Sequence, residues 1–226
     1  MAENRTALII GATGLVGRHC LEVLLAEPRC RKVIALSRRP LASSSPKLSQ
    51  IVVDFDKLDD YKNSFITDDV YCTIGTTIRH AGSKEAFRKV DYEYPLRVAQ
   101  LAHANGARRM SVITAIGANP SSRVFYLRVK GELEAALTQL SFEALHFFRP
   151  AWLVGKREET RFREKFGIAF AQALSPLFIG KWKNYRSTEA KVVARAMVNA
   201  TLGDAMGVQV YKTTDIWKLA GSRNGR

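Results

Sequence analysis

The stretch Gly11-Ala12-Thr13-Gly14-Leu15-Val16-Gly17 decides how this chain is read. It is entered from an apolar run, Ala7-Leu8-Ile9-Ile10, and left through a helical pattern carrying Leu21, Val23, Leu24 and Leu25. Strand, tight turn and helix follow from that order. Three glycines at this spacing let the backbone turn sharply, approach an anion closely and seat the new helix on the strand. The helix N-terminus meanwhile offers free N–H groups to a pyrophosphate. Such a turn serves a dinucleotide, with Gly11, Thr13, Gly14, Leu15, Val16 and Gly17 as its expected contacts.

Downstream, Lys32-Val33-Ile34-Ala35-Leu36-Ser37 is β-rich and sits where the second strand of a βαβ unit belongs. A site for an unphosphorylated ribose usually places Asp or Glu at this strand end; here Ser37 is followed by Arg38 and Arg39. Two guanidiniums without an acid suit a 2′-phosphate, so the expected cofactor is NADP(H). A polar loop, 40–49, leads to a third strand at Gln50–Val53, ending at Asp54 and Phe55. Asp54 has two roles open to it: accepting from an adenine amine, or capping the turn at Asp56-Lys57. A fourth strand is expected within 68–77, opening into Ile74-Gly75-Thr76-Thr77 beside the cofactor, where small residues let the backbone come close to a ribose. His80, further along this loop, reads as exposed.

An amphipathic helix opened by Pro95 stops at Asn105-Gly106, strand five follows at Arg109–Thr114, and a loop leads into a helix over Val124–Leu140. On that helix Tyr126 and Lys130 stand four apart and so share a face. A phenol is a poor acid–base near neutrality unless cations favour its anion, and an ammonium beside it does so. Of the seven tyrosines, Tyr126 is the one followed by Lys four residues later. Tyr126 and Lys130 are therefore the candidate proton donor and its partner, with Thr114 twelve residues before the tyrosine. Strand six, Glu143–Phe148, runs into Arg149-Pro150, and Pro150 is expected near the cofactor. Residues 162–174 and 188–202 have helical apolar spacing, and 208–211 reads as a last strand. With no internal repeat or linker, the expectation is one α/β domain over 1–226, a doubly wound parallel sheet, with 151–226 as a small C-terminal cap on the substrate side.

Composition narrows the classes further. Of the 226 residues 46% are hydrophobic and 25% charged, which suits a globular chain rather than a disordered one. The net charge is +14, and residues 150–226 carry 14 basic and 6 acidic residues. No Lys/Arg block exceeds three residues and aromatics are not interleaved with the charges, so a nucleic-acid partner is not expected. Cys20, Cys30 and Cys72 have neither disulfide nor zinc spacing, and no metal is expected. No apolar run approaches the roughly 20 residues that span a bilayer, and the first residues lack a leader pattern. A cytoplasmic location without membrane contact follows as the expectation, with a small-molecule substrate and room for a homo-oligomer.

Taken together, Gly11–Gly17, Gly75-Thr76-Thr77, Phe87–Asp91, Gly117-Ala118, Tyr126–Glu134 and Phe148-Arg149-Pro150 resemble the short-chain dehydrogenase/reductases, in the atypical branch with an N-terminal GATGxxG. The resemblance covers residues 5–155 and, more loosely, the chain to 200. It implies a Rossmann fold binding NADP, with Tyr126 as acid–base and Lys130 as its partner. Relatives often carry Ser-Ser at the end of strand five, where this chain has Thr114-Ala115. If the first position is functional, Thr114 supplies the hydroxyl that orients substrate; if the second, Ala115 supplies none. The expected activity is NADPH-dependent reduction of a carbonyl or oxidation of an alcohol. The alternative is an NADP(H)-binding regulatory or interaction protein with vestigial catalysis. An epimerase or dehydratase of nucleotide sugars would need a larger C-terminal domain.

Overall fold

The computed structural model describes residues 4–154 and 187–221. In chain order these form β1 (Arg5–Ile10), α1 (Leu15–Ala26), β2 (Cys30–Ser37), β3 (Leu48–Val52), a 3₁₀ stretch (Phe55–Phe65) and β4 (Asp69–Cys72). Then come α2 (Ile78–Ala81), α3 (Lys84–Arg88), a π-turn (Lys89–Glu93), α4 (Tyr94–Ala104), β5 (Arg109–Ile113), α5 (Phe125–Thr138) and β6 (Ala144–Arg149). The chain closes with β7 (Trp152–Val154), β8 (Ser187–Glu189), α6 (Ala190–Thr201), β9 (Gly207–Lys212) and α7 (Thr213–Gly221).

Seven strands form one sheet in the order β3-β2-β1-β4-β5-β6-β9, every neighbouring pair parallel. The chain builds outward from β1 to β3, then returns to lay β4 on the other flank of β1. The strand order therefore reverses between β1 and β4, where a crevice opens at the strand ends. Both faces of the sheet are buried, and β1 shows how its apolar run is used. Ala7 and Ile9 pack with Cys20, Leu21 and Leu24 of α1 and with Val193, Ala194 and Met197 of α6. Leu8 and Ile10 pack on the opposite face with Val98 and Ala102 of α4 and Leu133 and Leu137 of α5. A near-continuous apolar strand covered by helices on both sides is the expected doubly wound arrangement.

Several helix ends obey local chemistry. Pro95 sits in the first turn of α4, and Gly106 leaves it with φ of +93° while Asn105 Nδ2 donates to Leu101 O at 2.7 Å. In α5 a Cβ on Gly131 would lie 2.2 Å from the Asn119 carbonyl carbon, so only glycine lets the 117–122 loop lie on this helix.

The structure departs from expectation in places. The fourth strand holds four residues rather than running toward 77, because Thr73 leaves the ladder and its Oγ1 donates to Ile10 O at 2.7 Å. The 3₁₀ stretch, α2 and the π-turn carry no periodic sequence signal. Of residues 151–226, expected as a cap, the described part from 187 to 221 does not stand apart. There β9 extends the main sheet beside β6, and α6 packs on its covered face. The reason is apolar patterning: Ala194, Met197 and Val198 need the same core as α1. Among the described residues β7 and β8 form a second sheet, two-stranded and parallel. The expected helix at 162–174 and the basic aromatic stretch at 181–186 lie outside the described residues.

Candidate functional site

At the switch point the loops after β1, β2 and β4 enclose a groove of about 640 Å³. Its walls are Gly11 to Gly14, Leu36 to Pro40, Phe55, and Thr73 to Gly75. Gly11 has φ of +83°, and a Cβ there would lie 2.6 Å from the Ile74 nitrogen, so the turn passes the β4 loop with no room for a side chain. Gly14 N donates to Gly11 O at 2.9 Å, and a Cβ on Gly17 would lie 2.0 Å from the same oxygen. The first turn of α1 has no side-chain cap at Gly14, which leaves its N–H groups available at the edge of the groove. Thr13 and Gly14 thus line the groove, whereas Val16 is buried, Leu15 packs on the core and Gly17 supports the turn from behind.

Ser37 is buried and its Oγ donates to Arg39 O at 2.7 Å, a bond that bends the chain as it leaves β2. Arg38 and Arg39 follow, exposed and lining the groove. Asp54 takes the second of its two roles: Oδ1 accepts from Asp56 N at 3.0 Å and caps the 3₁₀ stretch. Phe55 lines the groove, its ring 5.3 Å from that of Tyr94. Ile74 and Gly75 form the opposite wall. Thr76 and Thr77 are not among its walls: Thr76 N donates to Asp91 Oδ2 at 2.8 Å, and Thr77 Oγ1 accepts from His80 N at 3.2 Å as the cap of α2. Pro150 is buried past β6, its carbonyl accepting from Ile116 N at 3.3 Å, and it is not a wall of the groove.

The groove ends at Gly75, and there the side-chain chemistry begins. A Cβ on Gly75 would sit 3.5 Å from Asp91 Oδ1 and 3.8 Å from Lys130 Nζ. Those two charges form a buried ion pair at 2.7 Å, with Asp91 on the π-turn and Lys130 on α5. Burial by itself draws the Lys130 ammonium down, but Asp91 and then Tyr126 outweigh it, so its pKa rises and the charge is held. Tyr126 is half-buried, its ring 5.6 Å from that of Phe87. Burial pushes its phenol above the usual range; Lys130 pulls it down, and Asp91 pushes it up again. The spacing alone leads one to expect the ammonium to favour the phenolate; burial outweighs it, with Asp91 adding to the rise, and Tyr126 stays protonated.

Thr114 lies in a second buried cluster. Its Oγ1 donates to Glu134 Oε1 at 2.6 Å, and Arg149 pairs with the same carboxylate, Nε donating at 3.0 Å. A hydroxyl has one proton to give, and Thr114 gives it to Glu134 rather than to a substrate carbonyl. Asp91, Glu134 and Arg149 stand in the motifs that carry the resemblance, but the sequence reading gave them no role in the site. Glu134 had a signal, since 126, 130 and 134 form one i, i+4 stripe on α5. Asp91 stood in the sequence only as the end of the Phe87–Asp91 motif, with no role attached, because its meeting with Lys130 comes from the π-turn folding over Gly75.

A glycine turn at the switch point of a parallel sheet covered by helices on both faces, with an uncapped helix behind it, defines a Rossmann-type fold. Within that class the chain belongs to the HIM1 family, whose sequence profile matches residues 54–181. It is 35% identical over 209 residues to the protein HTATIP2 of Rattus norvegicus, spanning 91% of this chain and 84% of that protein. It is also 35% identical over 221 residues to the protein fmp52, mitochondrial, of Emericella nidulans, spanning 95% of this chain and 94% of that one. Among solved structures, the Bordetella bronchiseptica enzyme WbmH in complex with NAD+ matches with a TM-score of 0.70 at 18% identity, over 93% of this chain and 76% of that one. That likeness is one of fold.

The fungal relatives correct one expectation, the cytoplasmic location, for they are named as mitochondrial proteins. Neither cysteine usage nor the length of an apolar run carries a mitochondrial address. Among the described residues no helix is long and apolar enough to cross a membrane.

Proposed function

We propose that the groove takes a nicotinamide adenine dinucleotide, NADP(H) in preference to NAD(H), and that the protein is an oxidoreductase acting on a small carbonyl or alcohol. The observation that carries this reading is the meeting at Gly75, where the groove ends within van der Waals reach of the Lys130–Asp91 pair. The residues present fit the cofactor. The first turn of α1 offers N–H groups to a pyrophosphate, the groove has the volume of an ordinary ligand site, and Arg38 and Arg39 stand where a 2′-phosphate would enter. The cofactor supplies or accepts the hydride when bound. Tyr126 holds the transferable proton on its phenol oxygen and gives it to the substrate oxygen as negative charge develops there. Lys130, kept charged by Asp91, stabilises the phenolate that results, and its Nζ lies beside the end of the groove at Gly75.

A second reading has one observation in its favour. Thr114 spends its proton on Glu134 and Ala115 offers none, so a regulatory protein that binds NADP(H) with vestigial catalysis accounts for the same groove. A panel of aldehydes, ketones and quinones separates the two, with NADPH oxidation followed at about 340 nm. Tyr126→Phe should keep NADPH affinity and lose about 10²–10⁴ in reduction rate. A Tyr126→Phe protein as fast as wild type would remove the assignment. A wild type that binds NADPH and reduces nothing would favour the second reading.

A further inference from the structure

We infer that Asp56 is a positioning residue for the dinucleotide, holding the Phe55 ring as the wall on which the adenine end rests. The inference builds on the reading of the groove as a nicotinamide dinucleotide site. With the Tyr126/Lys130 chemistry at Gly75 and the 2′-phosphate at Arg38 and Arg39, the base lies on the arginine side. There Phe55 is the one aromatic side chain among the described walls of the groove. Apolar packing is not all that holds its ring. A second cavity, of about 380 Å³, also has Phe55 as a wall, together with Asp56, Lys89, Glu93, Tyr94 and Arg97. The 3₁₀ stretch that Phe55 opens is itself irregular, broken at Lys57 with φ of −128° and at Tyr61 with φ of −106°. A ring between two cavities, on a stretch that does not fasten itself, needs an anchor from outside.

Asp56, the next residue, supplies it. Its Oδ1 accepts from the Tyr94 hydroxyl at 2.6 Å, and the Tyr94 ring lies 5.3 Å from that of Phe55, so one tyrosine meets both residues. The same carboxylate accepts from Lys89 Nζ at 2.8 Å. Lys89 and then Tyr94 hold the Asp56 carboxyl below its usual range, so it stays charged. Further along the 3₁₀ stretch, Asp59 pairs with Arg97 of α4. Lys89 opens the π-turn, and two residues on Asp91 accepts from Thr76 N and pairs with Lys130. Side chains two apart on a helical turn do not face each other. The π-turn therefore grips Asp56 with one side chain and the Gly75 end of the groove with another, and a single five-residue element sets both ends.

The test is to titrate the full chain with NADPH and with its two halves, adenosine 2′,5′-bisphosphate and reduced nicotinamide mononucleotide. Asp56→Ala should weaken NADPH and the adenosine half by roughly three- to tenfold and leave the affinity for the nicotinamide half unchanged. Tyr94→Phe keeps its ring against Phe55 and should lose about twofold on the same two ligands. Lys89→Met should lose about threefold, whereas Lys89→Arg, which keeps the charge, should bind like wild type. Asp56 and Lys89 are both about half exposed, so the circular dichroism melt should hold in all four variants. Equal losses on both halves would make Asp56 a general structural residue and overturn the proposal. So would an Asp56→Ala protein that binds the adenosine half like wild type. A wild type that takes up none of the three ligands would overturn the dinucleotide reading itself, and this inference with it.

Discussion

The groove after β1, β2 and β4 is made of backbone, whereas the cluster it meets at Gly75 is made of buried side-chain charge. In the groove, glycines at 11 and 17 are required because a Cβ would collide with main-chain atoms at 2.6 and 2.0 Å. Its polar groups are main-chain amides, the hydroxyl-bearing Thr13, Ser37 and Thr73, and two exposed arginines. In the cluster, Lys130 and Asp91 hold each other, while Glu134 holds Thr114 and Arg149. The difference teaches where each half is vulnerable. A backbone site tolerates changes of side chain wherever no atom is added inside the turn; a site of paired charges fails when one partner is removed, because the other is left buried and uncompensated.

The largest effect should come from breaking that pair. Lys130→Met leaves the charge of fully buried Asp91 with only the Thr76 N–H to compensate it, and is expected to lower stability by about 3–5 kcal/mol, read from the urea midpoint. Combining it with Asp91→Leu should recover most of the loss while leaving the protein inactive. If the double change is no more stable than the single one, the ion pair is not what fixes this corner of the fold. On the groove side Gly17→Ala is the sharper probe. The added methyl meets Gly11 O, so a cost of about 1–3 kcal/mol is expected together with at least about a tenfold loss of NADPH affinity. Unchanged NADPH binding in that variant would mean that the turn is not the phosphate site.

The same contrast explains what was legible in the sequence. Gly11 to Gly17, the apolar β1 run and the Tyr126/Lys130 spacing are local, since each states its geometry within a few residues. From them the parallel sheet, the switch point and the helix carrying Tyr126 and Lys130 all followed. What the sequence left open depended on contacts distant along the chain. Thr114 was read as facing substrate, but Glu134, twenty residues on, takes its hydroxyl. Lys130 was read beside Tyr126 alone, yet Asp91 reaches it from a π-turn that periodicity does not reveal. Residues 190–221 were read as part of a cap, because nothing in 207–212 announces that its pairing partner is β6. Asp54 remained ambiguous until its bond to Asp56 N was seen.

The central claim is that the groove binds the phosphorylated dinucleotide, and the most direct measurement is a calorimetric titration of NADPH and of NADH into the wild type and into the Arg38→Ala, Arg39→Ala double variant. Charge-assisted bonds to phosphate contribute on the order of 1.5–3 kcal/mol each, so NADPH should bind one to one and at least about tenfold more tightly than NADH. The double variant should lose that preference while keeping its affinity for NADH. No saturable binding of either nucleotide, or a preference for NADPH that survives without both arginines, would contradict it.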